Sequence, residues 1–322
     1  ALVVDTTAPT VTSVTSTTND GSYKEGDTVN VTVTFSEAVT LAGGNLVITL
    51  ETGDTDRTVT ITSVSGSSTA SGTYTVQAGD TSSDLTAKTV ALSAGSLSDA
   101  AGNAMTDFTI GTNLAASSAL VIDTTAPTVT SVTSTTNDGS YKEGDTVNVT
   151  VTFSEAVTLA GGNLVITLET GDTDRTVTIT SVSGSSTASG TYTVQAGDTS
   201  SDLTAKTVAL SAGSLSDAAG NAMTDFTIGT NLAASSAIVI DTTAPTVSGV
   251  DSTTAAGSYM AGDAISIQVT FTEAVTVSGT PQLTLETGDT DRDVNYASGS
   301  GSTTLTFTYT VQAGDTSSDL DY

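Results

Sequence analysis

Oxygen-bearing side chains supply almost all the chemistry that this sequence offers. The chain has 35 aspartate and glutamate residues but no histidine, cysteine or tryptophan. Histidine-based catalytic triads, cysteine nucleophiles and the usual zinc or haem ligand sets are therefore excluded. What remains is carboxylate chemistry, which means either a pair of acids that cleaves a glycosidic bond or oxygen ligands for a hard cation.

Enzymatic use of these carboxylates is not expected. The acids stand mostly in predicted turns, aromatic residues make up only 4% of the chain, and no tryptophan is present to line a sugar-binding cleft. Near-identical repeats would also need identical active sites. We therefore predict that the protein is not an enzyme and has no catalytic residues.

The acids recur with a long, fixed period. The stretch ALVVDTTAPTV at Ala1 returns as ALVIDTTAPTV at Ala119 and as AIVIDTTAPTV at Ala237, so the copies are 118 residues apart. Such a period predicts an array of similar modules. We expect the tail of a preceding repeat at 1–4, complete repeats at 5–122 and 123–240, and an incomplete third repeat at 241–322 that lacks its last strands. Both ends are interpreted as cuts through a longer protein.

The proline of each copy predicts a stiff joint between repeats. Pro127 restricts its own φ and favours an extended conformation at Ala126. The neighbouring repeats are therefore the expected partners of each repeat. A net charge of −28 argues against nucleic acid and anionic membrane surfaces, and no apolar run approaches the ~18 residues of a membrane span.

Alternating apolar and polar residues predict an all-β fold. In TVNVTVTF, at 28–35, the valines and the phenylalanine share one face. Strands are expected at 10–16, 28–35, 46–51, 57–64, 72–77, 89–97 and 115–123. Seven short strands at this spacing predict tandem immunoglobulin-like antiparallel β-sandwich domains arranged end to end. Tyr74 and Tyr192 are predicted to be core residues.

Strand order in such a sandwich predicts where the acids meet. Asp123 precedes the first strand of the second repeat, Glu155 follows its second strand, and Asp217 and Asn221 lie in the loop SDAAGN. All four should lie at the entry end of that repeat. Carboxylates a few Å apart repel by roughly 1–4 kcal/mol per pair at surface dielectrics. Ca²⁺, which takes six to eight oxygen ligands, would remove that repulsion, so we predict a calcium site.

A second group of acids occupies turns at the opposite end of each sandwich and is expected near the same junction. Aspartate is common in turns for backbone reasons alone, so these residues are weaker candidates. They are Glu51, Asp54, Asp56, Asp80, Asp172, Asp174 and Asp198. Asp56 and Arg57 are alternatively interpreted as a surface ion pair. Asp138 is interpreted as an ordinary turn residue, because its counterpart in the third repeat is Ala256.

At VIDTTAPTV, FSEAV and SDAAGN the sequence resembles the bacterial Ig-like repeats of very long surface adhesins and biofilm-associated proteins. In that family the repeats act as stiff extenders, many bind calcium at domain junctions, and the proteins are exported to the cell exterior. Carried over by position, the resemblance implies three ligand sets: Asp5, Glu37, Asp99 and Asn103; Asp123, Glu155, Asp217 and Asn221; and Asp241 with Glu273.

The sequence thus predicts a calcium-stiffened extracellular stalk segment of a bacterial surface adhesin. One alternative is a self-assembling structural protein that binds other copies of itself in a filament, sheath or surface layer. Another is a carbohydrate- or partner-binding module. The near identity of the first two repeats favours a spacer, because redundant copies do not suit unique recognition. A monomer over a wide range of concentration would contradict the filament.

Overall fold

The structure, a computed structural model, describes residues 3–322 and consists of short β-strands joined by turns. It divides into two compact units, of which the first runs to Thr242 and holds both complete repeats, and the second runs from Thr243 to Tyr322. The predicted tail at 1–4 lies partly outside the described residues. Over the described part of the chain, no helix is long and apolar enough to cross a membrane.

The two complete repeats have the same order of strands. The first has β1 (Val11–Thr15), β2 (Gly21–Tyr23), β3 (Thr28–Ala42), β4 (Leu46–Glu51), β5 (Arg57–Ile61), β6 (Ser67–Thr75), β7 (Thr81–Ser82), β8 (Thr86–Leu92), β9 (Ser96–Ser98) and β10 (Leu120–Asp123). The second has β11 (Val129–Thr133), β12 (Gly139–Tyr141), β13 (Thr146–Ala160), β14 (Leu164–Glu169), β15 (Arg175–Ile179), β16 (Ser185–Thr193), β17 (Thr199–Ser200), β18 (Thr204–Leu210), β19 (Ser214–Ser216) and β20 (Ile238–Asp241). Single 3-10 turns cover Leu114–Ala116 and Leu232–Ala234.

Each complete repeat is a set of sheets around one apolar core. In the first repeat β3 lies between β1 and β6 and also pairs with β9, while β4 lies between β5 and β8. A third, small sheet places β10 between β2 and β7. Val31, Val33, Ile48 and Leu50 are fully buried, as the alternation of apolar residues requires. The all-β prediction is confirmed.

The second strand, predicted at 28–35, is longer than expected. The strand β3 continues to Ala42, with a shift in its pairing to β6 between Thr34 and Val39. Glu37 and its counterpart Glu155 therefore lie within strands, and the prediction that Glu155 follows its strand is wrong. Val39 is fully buried and Leu41 packs against the core, so both continue the inward-facing parity of Val33 beyond the irregular segment.

Other predicted boundaries are also corrected. The segment 89–97 contains two strands, β8 and β9, because the chain turns at Gly95, where φ is +76° and a Cβ would lie 2.2 Å from the carbonyl oxygen of Gly43. The short strands β2 and β7 lie between the predicted strands, where no strand was expected. Since β10 pairs with β2 in parallel, the domain is not wholly antiparallel. The segment 115–123 is a strand only from Leu120 onward.

The second compact unit contains five strands in a single sheet. They are β21 (Val247–Ser252), β22 (Ala264–Val275), β23 (Gln282–Leu285), β24 (Arg292–Ser298) and β25 (Ser302–Thr310), in the order β21-β22-β25-β24-β23. Its core is smaller than that of the complete repeats. Phe307 and Tyr309 are 4% exposed, and Phe271, the counterpart of the buried Phe153, is only partly buried.

Candidate metal centre

Three carboxylates from separate segments meet at the start of each complete repeat. In the second repeat these are Asp123, Glu155 and Asp217, and one carboxylate oxygen from each lies within 4.8 Å of the other two. The first repeat has the same cluster, formed by Asp5, Glu37 and Asp99. We call these the two acidic triads. A cluster of three oxygen donors on different segments can hold a metal ion.

Asp123 links the second triad to the first repeat. It is the last residue of β10, and its backbone pairs with Thr81 of β7 in the first repeat. Its side chain belongs to the triad of the second repeat, where its Oδ1 accepts a hydrogen bond from the amide of Thr125 over 2.9 Å. One residue therefore belongs to the sheet of one repeat and to the carboxylate cluster of the next.

The other two acids of the triad have different supports. Glu155 lies on β13, in the irregular segment where the pairing with β16 shifts between Thr152 and Val157. Its position has the inward-facing parity of the strand, which places a carboxylate at the margin of the core. Asp217 follows β19 directly and is 7% exposed. Apolar alternation that continues past Phe153 into Val157 was the sequence signal for this placement.

Asn221 acts on Asp217 through its nitrogen atoms. Its side-chain Nδ2 donates to Asp217 Oδ2 over 2.7 Å and to the carbonyl oxygen of Asp123 over 2.9 Å, and its backbone amide donates to Asp217 Oδ1 over 2.8 Å. Asn103 holds Asp99 in the same way. Both asparagines therefore orient a buried carboxylate through their nitrogen atoms, and their role as metal ligands stays a prediction.

Burial and neighbouring like charges both act on the glutamate of each triad. Burial raises the pKa of the Glu155 carboxyl, and the nearby charges of Asp123 and Asp217 raise it further. Burial together with Asp5 and Asp99 likewise raises the pKa of Glu37. By contrast, the hydrogen bond from the Asn103 side chain lowers the pKa of Asp99. Each triad thus combines an oriented acid with a glutamate whose charge is disfavoured.

The predicted third ligand pair stays a prediction. Asp241 is the end of β20 in the first compact unit, whereas Glu273 lies on β22 in the second. The third repeat has no SDAAGN segment within the sequence, so no counterpart of Asp217 is present.

Asp80 and Asp198 have a different role from the one predicted. Asp80 is 1% exposed and accepts hydrogen bonds from Arg57 Nε over 2.7 Å, from the Tyr74 hydroxyl over 2.7 Å and from the Gln77 amide over 2.9 Å. The matching partners of Asp198 are Arg175, Tyr192 and Gln195. These acids are structural and lie outside the triads. Because Arg57 pairs with Asp80, the interpretation of Asp56 and Arg57 as a surface ion pair is wrong.

The tyrosines were correctly predicted as core residues. Tyr74 and Tyr192 are both 2% exposed, and the hydroxyl of each donates a hydrogen bond to a buried carboxylate. Burial and this bond raise the pKa of each hydroxyl well above its usual range.

The remaining candidate acids do not join the triads either. Lys88 Nζ lies 2.7 Å from Glu51 and 3.0 Å from Asp56. In the second repeat, Lys206 makes the same pairs with Glu169 and Asp174. Asp54 and Asp172 are exposed turn residues. Among the described residues, the acids of these turns therefore form no cluster of three with Asp123, although Glu51 and Asp123 line the same open groove.

Asp138 does more than the predicted turn residue would. Its Oδ1 accepts a hydrogen bond from the amide of Ala237 over 2.8 Å, just before β20 begins. Asp20 and Ala119 make the equivalent bond in the first repeat. These aspartates therefore hold the start of the last strand of each repeat, through a hydrogen bond from an amide 99 residues later in the sequence.

Comparison with known proteins identifies a family. The profile described as Bacterial Ig-like domain matches residues 5–112 and 123–230, which together are more than half of the chain, and the match confirms the predicted immunoglobulin-like domains in tandem. No curated protein matches.

Solved structures similar to the chain include two of alpha-2-macroglobulin from Escherichia coli. One, activated by porcine elastase, has 8% identity and a TM-score of 0.21, with 94% of this chain and 31% of that chain covered. The other, activated by trypsin, has 15% identity and a TM-score of 0.24, with 95% and 22% covered. The chain thus spans less than a third of either protein.

Proposed function

The chain belongs to the bacterial Ig-like domain family, and on that basis we propose that it is an extracellular extender segment of a bacterial surface adhesin whose joints are stiffened by Ca²⁺. Domains of this family occur in bacterial surface proteins. The observation that carries the proposal is the triad of Asp123, Glu155 and Asp217, since Asp123 also pairs with the sheet of the preceding repeat.

The donors of the triads fit a hard dication. Each triad offers only carboxylate oxygens, and Ca²⁺ prefers such ligands in a flexible geometry with water completing the shell. A dication bound between three carboxylates that lie within a few Å of one another removes their mutual repulsion. Asn221 leaves Asp217 oriented towards the other acids before any ion binds. Asp5, Glu37 and Asp99 would hold an ion in the same way in the first repeat.

A bound ion would restrict the joint between repeats. Asp123 would be held on one side by its strand pairing with Thr81 and on the other by the ion it shares with Glu155 and Asp217. The segment between β10 and β11 is short and contains Pro127, so few backbone angles remain free. The near identity of the two complete repeats favours this spacer role over a recognition module.

The test is a calcium titration followed by thermal unfolding. If Kd lies near 10⁻⁴–10⁻³ M, as in other extracellular modules, about 10 mM Ca²⁺ should stabilise each site by roughly 1.4–2.7 kcal/mol. Asp123→Asn should remove the gain at one site. The matched control is Asp172→Asn, which removes the same charge from an exposed turn residue outside both triads. An unchanged melting temperature of the wild-type protein in Ca²⁺ would contradict the proposal.

Stiffening needs its own measurement. Small-angle X-ray scattering of wild type, Asp123→Asn and Asp172→Asn, each with Ca²⁺ and with chelator, reports the maximum dimension and the flexibility of the chain. We expect chelation to loosen the wild type and the control, and to have a smaller effect on Asp123→Asn. A wild-type profile that ignores Ca²⁺ would mean that the acids are only solvated charge.

A further inference from the structure

Lys24 of the first repeat contacts a turn of the second repeat. Its Nζ donates a hydrogen bond to the carbonyl oxygen of Gly220 over 2.9 Å, across 196 residues of sequence. The lysine side chain also lies across this glycine, because a Cβ on Gly220 would be 3.4 Å from Nζ and 3.8 Å from Cε. The contact therefore combines a charge-assisted hydrogen bond with packing of the aliphatic stem.

The base of Lys24 is held in place. Its backbone amide donates to Asp27 Oδ2 over 3.0 Å, and its carbonyl oxygen accepts from the Asp27 amide over 3.1 Å. These two bonds close the turn between β2 and β3. The lysine thus extends from a defined turn, which reduces the conformational entropy lost when its amine binds.

The turn that Lys24 reaches is the one that presents Asp217. The amide of Gly220 donates to the carbonyl oxygen of Asp217 over 3.3 Å, and the next residue, Asn221, holds both oxygens of the Asp217 carboxylate. A contact on the Gly220 carbonyl therefore acts on the same turn from the side of the preceding repeat.

We propose that Lys24 is a positioning residue that latches the first repeat onto the 216–221 turn of the second without any need for a metal ion. The latch is separate from the proposed calcium function, since it uses a carbonyl oxygen and not the triad. Charge-assisted hydrogen bonds of this kind change the population of an open state by about tenfold.

The chain offers a matched control. Lys142 is the counterpart of Lys24 in the second repeat, and over the part of the chain that the structure describes its Nζ makes no hydrogen bond. Met260 occupies this position in the third repeat, so methionine is a natural replacement. Lys24→Met should open the joint, whereas Lys142→Met changes the same charge and leaves the latch intact.

The experiment measures distances between two spin labels. The sequence has no cysteine, so Thr60→Cys and Thr178→Cys, at equivalent exposed positions of β5 and β15, provide unique labelling sites on the two repeats. Pulsed electron paramagnetic resonance then gives the distribution of the label distance in chelator and in Ca²⁺. In chelator we expect one predominant label distance for wild type and Lys142→Met. For Lys24→Met we expect the share of other label distances to be about tenfold larger.

Two results would overturn the latch: a distribution for Lys24→Met that matches wild type in chelator, or equal broadening by Lys142→Met. The Ca²⁺ arm tests the other proposal independently. If Ca²⁺ leaves the wild-type distribution and melting temperature unchanged while Lys24→Met broadens the distribution in chelator, calcium stiffening fails and the latch stands.

Discussion

The hydroxyl of Thr124 donates a hydrogen bond to the carbonyl oxygen of Asp80 over 3.0 Å and accepts one from the amide of Gly79 over 3.2 Å. Thr124 directly follows β10, so it is the first residue of the joint. Thr242 makes the same two bonds to the counterparts of these residues in the second repeat, over 2.9 and 3.1 Å. The chain thus leaves each repeat tied to the loop that holds the buried aspartate.

Replacing Thr124 should loosen this attachment. Thr124→Val keeps the shape of the side chain but removes both hydrogen bonds, which should lower the free energy of unfolding by about 0.5–1.5 kcal/mol for each. Hydrogen exchange at the Gly79 amide should accelerate. Thr125→Val is the control, because within residues 3–322 the backbone amide of Thr125 bonds to Asp123 and its hydroxyl makes no hydrogen bond. Unchanged exchange at Gly79 in Thr124→Val would contradict the assignment.

Acid should destabilise the second repeat through Asp198. Burial opposes the charge of this carboxyl, but hydrogen bonds from Tyr192 and Gln195 and the charge of Arg175 outweigh it and hold the pKa of Asp198 below its ordinary 3.8. A lowered folded-state pKa contributes stability that is present above the unfolded-state value and lost as the pH falls through the folded-state value. The loss should therefore begin near the ordinary pKa and continue below it.

The test compares denaturation midpoints of wild type and Asp198→Asn from about pH 7 to about pH 2. At neutral pH the variant should lose about 3–5 kcal/mol, since Arg175 is left without its buried partner. Below the ordinary pKa the difference should shrink. Asp172→Asn should follow the wild-type curve. A constant difference across the range would show that the ionisation of Asp198 does not support the fold.

The triads were predictable from the sequence although the strand count was not. The position of each acid depends only on the end of the sandwich at which its segment lies. The apolar alternation around Phe153 identifies the strand, and the strand order then gives that end. The extra strands β2 and β7 have three and two residues, too few for any period to be detected. Adding them did not change the end at which Asp123 and Asp217 meet.

The role of Asp80 could not be predicted in the same way. Its sequence, AGDTSSD, is that of an ordinary turn, and its burial depends on Arg57, which stands 23 residues earlier. The orientation of the Asn221 side-chain amide could not be predicted either, since an asparagine offers both an acceptor oxygen and a donor nitrogen. The sequence indicates which side chains lie close together. Which atom of each side chain faces its neighbours depends on the tertiary structure.

The core of the second repeat should depend on Phe153. This residue is 3% exposed and pairs with Val129 across β11 and β13. Phe153→Ala should lower the free energy of unfolding by about 3–5 kcal/mol in denaturant titrations. Phe271→Ala is the matched comparison, and its smaller loss should follow from partial burial. A loss below about 1 kcal/mol for Phe153→Ala would mean that the core does not rely on this ring.

Glu155→Gln should change stability in opposite directions with and without calcium. In chelator the glutamine removes one of three crowded negative charges, and the raised pKa of Glu155 shows that the folded protein disfavours this charge. The variant should therefore be more stable than wild type by about 1 kcal/mol, the scale of one surface charge pair. In Ca²⁺ it should be less stable, because a ligand oxygen loses its charge. Thermal unfolding in both buffers, with Asp172→Asn as the control, measures the two differences. Loss of stability in both buffers would mean that Glu155 supports the fold itself and that repulsion within the triad is not relieved by an ion.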